Sequence, residues 1–204
     1  TVYRGNEVFD DFYVSIYDKL VLDDNKLSVE VHEALADVND YDKFSILDIG
    51  CSTGHHVYQF SSVTDNVLGI DISPSMIKKA KENYPKCNYI IGDALNPNIS
   101  KPNQYTHVNC VYFTIYYLHD KHAFFKNCHT WLKPGGKLIL HVVDPNKFDP
   151  IVSAGDPFHL IKPHNFSKKR ITETEVEFYQ YNYKASYNYY KNENKASFQE
   201  KITD

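Results

Sequence analysis

Three short apolar segments of this chain each run into an aspartate, and these aspartates, Asp48, Asp71 and Asp93, follow one another at intervals of 23 and 22 residues. Turns and amphipathic stretches separate the segments. Ser73-Pro74 is a typical helix start, because a capping hydroxyl precedes a proline in the first turn. A strand–helix unit repeated at this interval is typical of a doubly wound sheet covered by helices. The sequence therefore predicts an α/β fold with a Rossmann-like, mostly parallel sheet.

Hydrophobic periodicity predicts where the individual elements lie. Five strands are predicted, over residues 44–49, 66–70, 88–91, 107–113 and 137–143. Helices are predicted over residues 7–22, after a cap at Ser28, from His55, from Pro74, and over residues 124–132. The apolar face of the first is predicted to consist of Val8, Phe9, Phe12, Ile16 and Leu20. The residues Lys133-Pro134-Gly135-Gly136 are expected to end the last of these helices.

The last third of the chain has a different pattern. Residues 145–172 contain four prolines and no helical period, whereas residues 175–190 alternate and are rich in tyrosine. With residues 196–202 as partner, across a polar turn at 191–195, this predicts an antiparallel β-ribbon. We expect residues 1–144 to form the sheet domain with an N-terminal helical cover. Residues 145–204 form an irregular segment and the ribbon, in the same domain or as a substrate cap.

Two arrangements of the ribbon are open. It either completes the sheet as the final strand pair, or it covers the functional edge of the sheet as a cap. The irregular, proline-rich lead-in favours the cap slightly. A cap would leave the edge of the fifth strand uncovered, and an exposed edge invites pairing with another chain. Self-association through that edge or through the ribbon is then expected.

Composition argues against several classes of protein. A formal net charge of -4 and only two arginines disfavour a nucleic-acid partner. No stretch approaches the ~20 apolar residues that span a bilayer, so no membrane association is expected.

The four cysteines have no close pair, which indicates free thiols in a reducing cytoplasm. His119 and His122 have a spacing that suits a metal but lack a clear third ligand, so we expect no metal.

The residues that follow the predicted strands have the chemistry of a nucleoside site. Gly50 and Gly54 allow a ligand to approach the backbone closely. Asp48 can meet an ammonium group, Asp71 can accept both hydroxyls of a ribose, and Asp93 can accept a hydrogen bond from an adenine amino group. Each aspartate could instead cap the next helix. Three of them at consecutive strand ends favour the nucleoside.

Four segments, 46–54, 68–76, 91–94 and 131–136, resemble the motifs of class I S-adenosylmethionine-dependent methyltransferases, and the resemblance extends over roughly residues 40–145. It implies S-adenosylmethionine as cofactor, S-adenosylhomocysteine as product, and a small-molecule acceptor with a nitrogen or oxygen nucleophile. The glycine loop would hold the methionine part, Asp71 the ribose and Asp93 the adenine. The implied cofactor-binding residues are Tyr17, Asp48, Gly50, Cys51, Ser52, Gly54, Asp71, Ile72, Met76, Asp93, Ala94 and Phe113.

Some positions leave alternatives open. Ser52 stands where this family usually has glycine, so it either hydrogen-bonds the cofactor carboxylate or crowds it. Tyr17 either reaches that carboxylate or packs within an amphipathic helix. Tyr116 and Tyr117 either contact the substrate or pack under the next helix. No catalytic residue is assigned, because methyl transfer depends mainly on positioning the nucleophile.

Two other functions compete with methyl transfer. A nicotinamide-dependent dehydrogenase would also use Asp71, but its G-x-G-x-x-G fingerprint is absent from residues 50–54. A regulatory or degenerate protein that binds the cofactor without turnover is the stronger alternative, since Ser52 departs from the motif and no base is evident. The amino-methylating motif of nucleic-acid enzymes is absent at residues 110–113, which favours a small-molecule acceptor.

Overall fold

The predicted strands form one five-stranded parallel sheet in the computed structural model, which describes residues 3, 5–148, 150 and 169–203. The strands are β1 (Ile46–Ile49), β2 (Val67–Asp71), β3 (Tyr89–Ile91), β4 (Tyr105–Cys110) and β5 (Leu132–Leu140). Their spatial order is β3-β2-β1-β4-β5. The chain thus runs outward from β1 to β3 and returns to place β4 on the other side of β1, which makes the β1/β4 boundary the switch point of a doubly wound sheet.

Six α-helices accompany this sheet in the described residues: α1 (Asp11–Val21), α2 (Asp24–Leu35), α3 (His55–Phe60), α4 (Pro74–Asn83), α5 (Thr114–Tyr117) and α6 (Lys121–Trp131). Short 3₁₀ turns lie at Gly5–Val8, Pro97–Ile99 and Lys191–Glu193. The start of α4 is the one predicted from the sequence. Ser73 Oγ accepts a hydrogen bond from the Met76 N–H at 3.2 Å, with the proline in the first turn.

The first two helices differ from their predictions. Helix α1 begins at Asp11 because Asp10 Oδ1 accepts the Tyr13 N–H at 2.9 Å. Its buried side chains are those of Tyr13, Val14, Ile16 and Leu20. Ile16 and Leu20 are thus buried as predicted, whereas Phe12 is exposed and Tyr13 takes its place on the apolar face. Helix α2 begins at Asp24, and Ser28 lies inside it rather than at its cap.

Strand β5 also begins earlier than predicted. It includes the Lys133–Gly136 turn residues and ends at Leu140, instead of running from 137 to 143. The pairing with β4 shifts register between Tyr105 and His107, which accommodates the glycine pair as an irregularity within the strand.

Two apolar clusters cover the faces of the sheet. Along β1 the side chains alternate, so that Ile46 belongs to the cluster beneath α3 and α4 while Leu47 and Ile49 belong to the cluster beneath α6. Asp48 therefore points to the same face as Ile46, toward α3. This alternation places the charge of His56, on α3, near the Asp48 carboxylate.

A second, antiparallel sheet lies in the C-terminal region. Its strands are β6 (Glu173–Glu177), β7 (Asn182–Tyr190) and β8 (Lys195–Thr203), in the order β6-β7-β8. The predicted pairing of the tyrosine-rich strand with residues 196–202 is confirmed. The predicted single strand over 175–190 is wrong, because a turn at residues 178–181 divides it in two.

The chain divides into two compact units. One comprises the described parts of Thr1–Ile16 and Asp24–Val142, and the other those of Tyr17–Asp23 and Val143–Asp204. Among the described residues no strand of the antiparallel sheet pairs with β5, so the ribbon does not extend the parallel sheet. The cap arrangement stays a prediction. Much of the irregular lead-in predicted over 145–172 lies outside the described residues.

Within the second unit, Tyr183, Ala185 and Tyr187 form the buried face of β7. Phe148 packs its ring at 4.7 Å from that of Tyr187, and the Arg170 guanidinium lies 5.1 Å from the same ring. The helices of the described residues are all too short or too polar to cross a membrane.

Candidate functional site

The three aspartates come together along one edge of the parallel sheet. Asp48 lies in β1, Asp71 is the last residue of β2, and Asp93 lies two residues beyond β3. The loop after β1 is tied to β2, because the N–H groups of Gly50 and Cys51 donate to the Ile70 carbonyl at 2.8 and 3.0 Å. Since parallel strands end at the same edge, these groups form the floor of a site beyond the carboxyl ends of β1, β2 and β3.

The loop after β1 needs glycine at two positions. Gly50 has a φ of +70° and Gly54 a φ of +93°, both in the region that disfavours side chains. A Cβ on Gly50 would collide with the side chain of Thr114, and one on Gly54 would collide with the Tyr89 ring. The two glycines therefore allow the loop to pack closely against its neighbours, so that space is left on the other side of the loop.

Ser52 adopts the backbone conformation that explains why glycine is usual at this position. Its φ is +49°, which costs a residue with a Cβ roughly 1–2 kcal/mol. The Ser52 N–H donates to Asp71 Oδ2 at 3.0 Å, and the Ser52 hydroxyl donates to the Gly50 carbonyl at 3.3 Å. The hydroxyl is thus bonded to the loop itself, and these bonds help to hold the conformation.

Asp71 is a buried carboxylate that can accept further hydrogen bonds. Its Oδ1 accepts the Ser73 N–H at 2.9 Å and its Oδ2 accepts the Ser52 N–H. Burial raises the pKa of Asp71, and the backbone hydrogen bonds oppose that effect. A carboxylate offers about four lone-pair sites, so each oxygen can accept one further bond.

Asp48 has a buried oxygen that lacks a donor. Its Oδ1 accepts from the Asn109 side-chain amide at 2.7 Å, whereas Oδ2 is buried and has no hydrogen-bond partner within the described part of the chain. Burial raises the pKa of Asp48 to about 6, an effect that the nearby charges of Asp71 and Glu30 increase and that His56 and Asn109 oppose. A buried oxygen in this state is costly unless a ligand supplies the donor.

Exposed isoleucines border the β2–β3 part of the edge. Ile72, just after β2, is 43% exposed, and Ile91, the last residue of β3, is 56% exposed. Asp93 Oδ1 accepts the Leu95 N–H at 2.8 Å beside them. Met76, which the sequence placed next to an adenine, is fully buried in the core, as is Ala94. The sequence did not identify Ile91 as a candidate site residue, because its pattern indicates only a strand.

The aromatic candidates differ in their surroundings. Phe113 precedes α5, and its ring lies 6.1 Å from that of the exposed Tyr116. The ring of Tyr117 lies 5.4 Å from that of Phe9. Tyr17 lies in the part of α1 that belongs to the second unit, so both of its predicted roles stay open.

The cysteines are free thiols, as the sequence predicted. Cys51, in the loop after β1, is buried, and burial raises the pKa of its thiol well above the ordinary value. His, Cys, Asp and Glu side chains do not gather into a group of three suited to a metal ion anywhere in residues 3, 5–148, 150 and 169–203.

A polar cluster that the sequence analysis missed lies beside Asp48. Glu30 on α2 contacts His56 on α3 and His141 just after β5, and Lys26 and Tyr112 lie against them. We call these five residues the Glu30 cluster. They come from separate parts of the chain, and only His56, close to the glycine loop, carried any signal in the sequence.

Comparison with known proteins assigns this edge to a family. A family model described as a methyltransferase domain matches residues 46–136, which contain the glycine loop and all three aspartates. Over this stretch, somewhat less than half of the chain, the protein is similar to class I S-adenosylmethionine-dependent methyltransferases. The resemblance of the motifs and the fold class predicted from them are thereby confirmed.

Individual relatives agree with this methyltransferase assignment. Phosphoethanolamine N-methyltransferase 3 of Arabidopsis thaliana is 34% identical over 98 residues, which are 47% of this chain and 20% of that protein. The sugar N-methyltransferase KedS8 of Streptoalloteichus superposes with a TM-score of 0.61 at 14% identity, covering 100% of this chain and 81% of that one. Phosphoethanolamine N-methyltransferase 2 of Haemonchus contortus, in complex with S-adenosylhomocysteine, gives a TM-score of 0.57 at 20% identity over 72% of this chain and 39% of that one.

These two structural matches show the shared fold. The chain spans less than half of the length of the curated relatives that it matches.

Proposed function

We propose that this chain binds S-adenosylmethionine along the carboxyl edge of its parallel sheet and transfers the methyl group to a small-molecule acceptor. The observation that carries the proposal is the buried, donor-free Oδ2 of Asp48. It lies on the same sheet edge as the buried Asp71 and the half-buried Asp93. An ammonium group is the donor that such an oxygen needs, and the methionine part of the cofactor carries one.

The residues of this edge fit the rest of the cofactor. Asp71 has the lone pairs that two ribose hydroxyls require. Ile72 and Ile91 offer exposed apolar side chains to a planar base, next to the carboxylate of Asp93, which suits an amino group. The glycine loop gives its backbone close access to the methionine part. In this proposal Gly50, Cys51, Ser52 and Gly54 act through their backbone.

The cofactor supplies a methyl group activated by a positively charged sulfur. The protein's part is then to hold donor and nucleophile in line and to keep water out. Such positioning contributes up to about 7–11 kcal/mol in favourable intramolecular reactions. Asp48, Asp71 and the glycine loop hold the methyl donor in place. Because positioning is their role, the motif residues need not include a nucleophile.

A small-molecule acceptor is supported by the charge of the chain and by its relatives. The formal net charge is -4, which opposes binding to a polyanion. Relatives are named for phosphoethanolamine and for amino sugars as substrates. Both of these relatives are named as N-methyltransferases.

Cofactor binding is tested by calorimetry and thermal unfolding with S-adenosylmethionine, S-adenosylhomocysteine and NADH. A ligand that binds only the folded state adds about 2.7 kcal/mol of stability at 100 times its dissociation constant. We expect the two sulfur ligands to raise the melting temperature. A shift with NADH alone would refute the assignment.

Turnover is tested with radiolabelled S-adenosylmethionine and a small-metabolite extract. Label transferred to a small molecule supports the enzyme. Tight cofactor binding without any transfer would favour the alternative, a regulatory protein that has kept the site.

A further inference from the structure

The Glu30 cluster holds a carboxylate almost completely away from water. The Glu30 side chain is 8% exposed. Its Oε2 lies 3.0 Å from His56 Nε2, and its Oε1 lies 3.3 Å from His141 Nδ1 and 3.8 Å from Lys26 Nζ. Oε1 is buried and has no hydrogen bond of normal geometry within the described residues. The cluster thus contains an acceptor oxygen with unused capacity, which is costly in a buried position.

The cluster lies on the side of the sheet where an acceptor molecule must approach. Asp71 and Asp93 place the nucleoside over β2 and β3, and Asp48 places the amino acid part at β1. The reactive sulfur, which joins the two parts, then faces the strands on the other side of β1. These are β4 and β5, whose carboxyl ends lead to Tyr112 and His141.

The protein already places one cation here. The Lys26 ammonium lies 3.8 Å from the centre of the Tyr112 ring and at the same distance from Glu30 Oε1. A carboxylate next to an aromatic face is a favourable site for a cation. The Lys26 side chain is 44% exposed, so it can leave this position without disturbing the core.

The other charged groups around the site complete its electrostatics. Asp48 on β1 lies close enough for its charge to act on His56, and Asp71 lies beyond it. Among the described groups named here, the carboxylates of Glu30, Asp48 and Asp71 outnumber the Lys26 ammonium. The surroundings are therefore net negative and favour a positively charged ligand over a neutral or anionic one.

We propose that the Glu30 cluster is the acceptor subsite and that it takes a protonated amine, whose ammonium group occupies the position of the Lys26 ammonium against Glu30 Oε1 and the Tyr112 ring. This inference rests on the proposed function and narrows it to N-methylation. Glu30 binds the cation, His56 orients Glu30, and His141 receives the proton that the amine must lose.

His141 is positioned to accept the proton that the amine loses. The Tyr112 N–H donates to its Nδ1 at 3.3 Å, which assigns the proton of the neutral ring to Nε2. This long bond occupies the single lone pair of Nδ1, and it opens when Nδ1 takes the proton. Burial lowers the pKa of His141, although the charge of Glu30 opposes this. A neutral ring with a lone pair beside Glu30 can accept a proton and form an ion pair with the carboxylate.

The reaction balances with these groups alone. The R–NH₃⁺ acceptor gives one proton to His141 Nδ1 and becomes R–NH₂. Its nitrogen lone pair attacks the methyl carbon, the carbon–sulfur bond breaks, and that electron pair stays on sulfur. The products are R–NH₂⁺–CH₃ and the neutral thioether S-adenosylhomocysteine, and His141 releases its proton to water.

Binding of a model amine tests the subsite independently of turnover. The chain is saturated with S-adenosylhomocysteine, and ethanolamine is titrated in the millimolar range while the histidine ring signals are followed by NMR. His56→Gln and His141→Gln assign the two signals. Ethylene glycol, of similar size but uncharged, is the matched ligand control.

Glu30→Gln is the test variant, and Glu33→Gln, on the exposed side of the same helix, is its control. We expect saturable shifts of His56 and His141 with ethanolamine only, weakened at least tenfold by Glu30→Gln and unchanged by Glu33→Gln. Absent shifts, equal shifts with ethylene glycol, or equal affinity in Glu30→Gln would overturn the proposal. Should Glu30→Gln not fold, judged by circular dichroism, Lys26→Met gives the readout, because removing the competing ammonium should strengthen ethanolamine binding.

The same samples separate this inference from the proposed function. Calorimetry reports S-adenosylhomocysteine binding before any amine is added. A failure at that stage contradicts the cofactor assignment, and the titration of ethanolamine into the free protein still decides whether the Glu30 cluster binds an amine.

Discussion

Replacing Asp48 by asparagine should make the free protein more stable and its cofactor binding weaker. The ordinary pKa of an aspartate is about 3.9, and burial raises that of Asp48 to about 6. The folded protein therefore holds this proton more tightly than the unfolded chain does. The stability that this proton gives the folded state is fully present below about pH 4 and is lost as the pH rises through 6. At neutral pH the ionised Asp48 therefore lowers the free energy of unfolding by about 3 kcal/mol.

The substitution Asp48→Asn would remove that cost, because the asparagine side chain is neutral and keeps the oxygen that accepts from Asn109. We expect it to raise the free energy of unfolding at pH 7.5 by about 1–3 kcal/mol, the lower figure allowing for a buried amide without an acceptor. That corresponds to several degrees in melting temperature for a chain of this size. At pH 4 the two proteins should be nearly equal.

Cofactor binding should change in the opposite direction. The ammonium group loses a hydrogen bond to a charged partner, which is worth about 1.5–3 kcal/mol. In the unmodified protein only about one Asp48 in ten is ionised at pH 5, so S-adenosylhomocysteine should bind about tenfold more weakly there than at pH 7.5. In Asp48→Asn this contribution should vanish, and only the weaker pH dependence that arises from other groups such as Asp71 should remain.

Urea unfolding at the two pH values given for stability and calorimetry at the two given for binding measure these effects, with the exposed Asp65→Asn as surface control. The reasoning would be refuted if Asp48→Asn were less stable than the unmodified chain at pH 7.5. Unchanged affinity for S-adenosylhomocysteine would refute it equally.

Further substitutions test the loop and the ribose carboxylate. Gly50→Ala should abolish detectable S-adenosylhomocysteine binding in calorimetry and destabilise the fold by about 1–3 kcal/mol in urea, because its Cβ meets Thr114 at a positive φ. Ser52→Gly should be neutral or stabilising by up to about 1 kcal/mol with affinity unchanged, and a clear loss of affinity would mean that the hydroxyl contacts the ligand. Asp71→Ala should weaken binding by about 1–3 kcal/mol, whereas equal affinity would exclude Asp71 from the ribose site. Filter binding at low and physiological salt should detect no tight, salt-sensitive binding to DNA or RNA.

The sheet could be predicted from the sequence because each of its early strands is a buried apolar run that ends in a polar residue. Asp48, Asp71 and Asp93 were placed correctly on one edge for that reason. Helix phase was harder. In α1 both Phe12 and Tyr13 can head an apolar stripe, and only tertiary packing decides between them.

The tyrosine-rich region shows a second limit of pattern reading. Residues 178–181 contain neither glycine nor proline, so the usual turn residues are absent, and the only sign of the turn between β6 and β7 is that the inward positions change from even to odd numbers after Phe178. There the Phe178 N–H donates to the Tyr181 carbonyl at 2.9 Å, and the two rings stack at 4.6 Å. Contacts between side chains, rather than a turn residue, define this hairpin.

The Glu30 cluster shows why cofactor sites are easier to predict than acceptor sites. Residues 46–136, which match the family model, contain every residue proposed to hold the donor except Tyr17, whose role is open. Lys26, Glu30 and His141 lie outside that stretch, and they meet His56 and Tyr112 only after α2 and the end of β5 have packed against the sheet. The donor is common to the family, so its ligands follow strands at fixed spacing. If the acceptor is bound as proposed, its selection depends on segments before and after the matched domain, and exchanging those segments should change the acceptor while S-adenosylhomocysteine affinity stays within a few-fold.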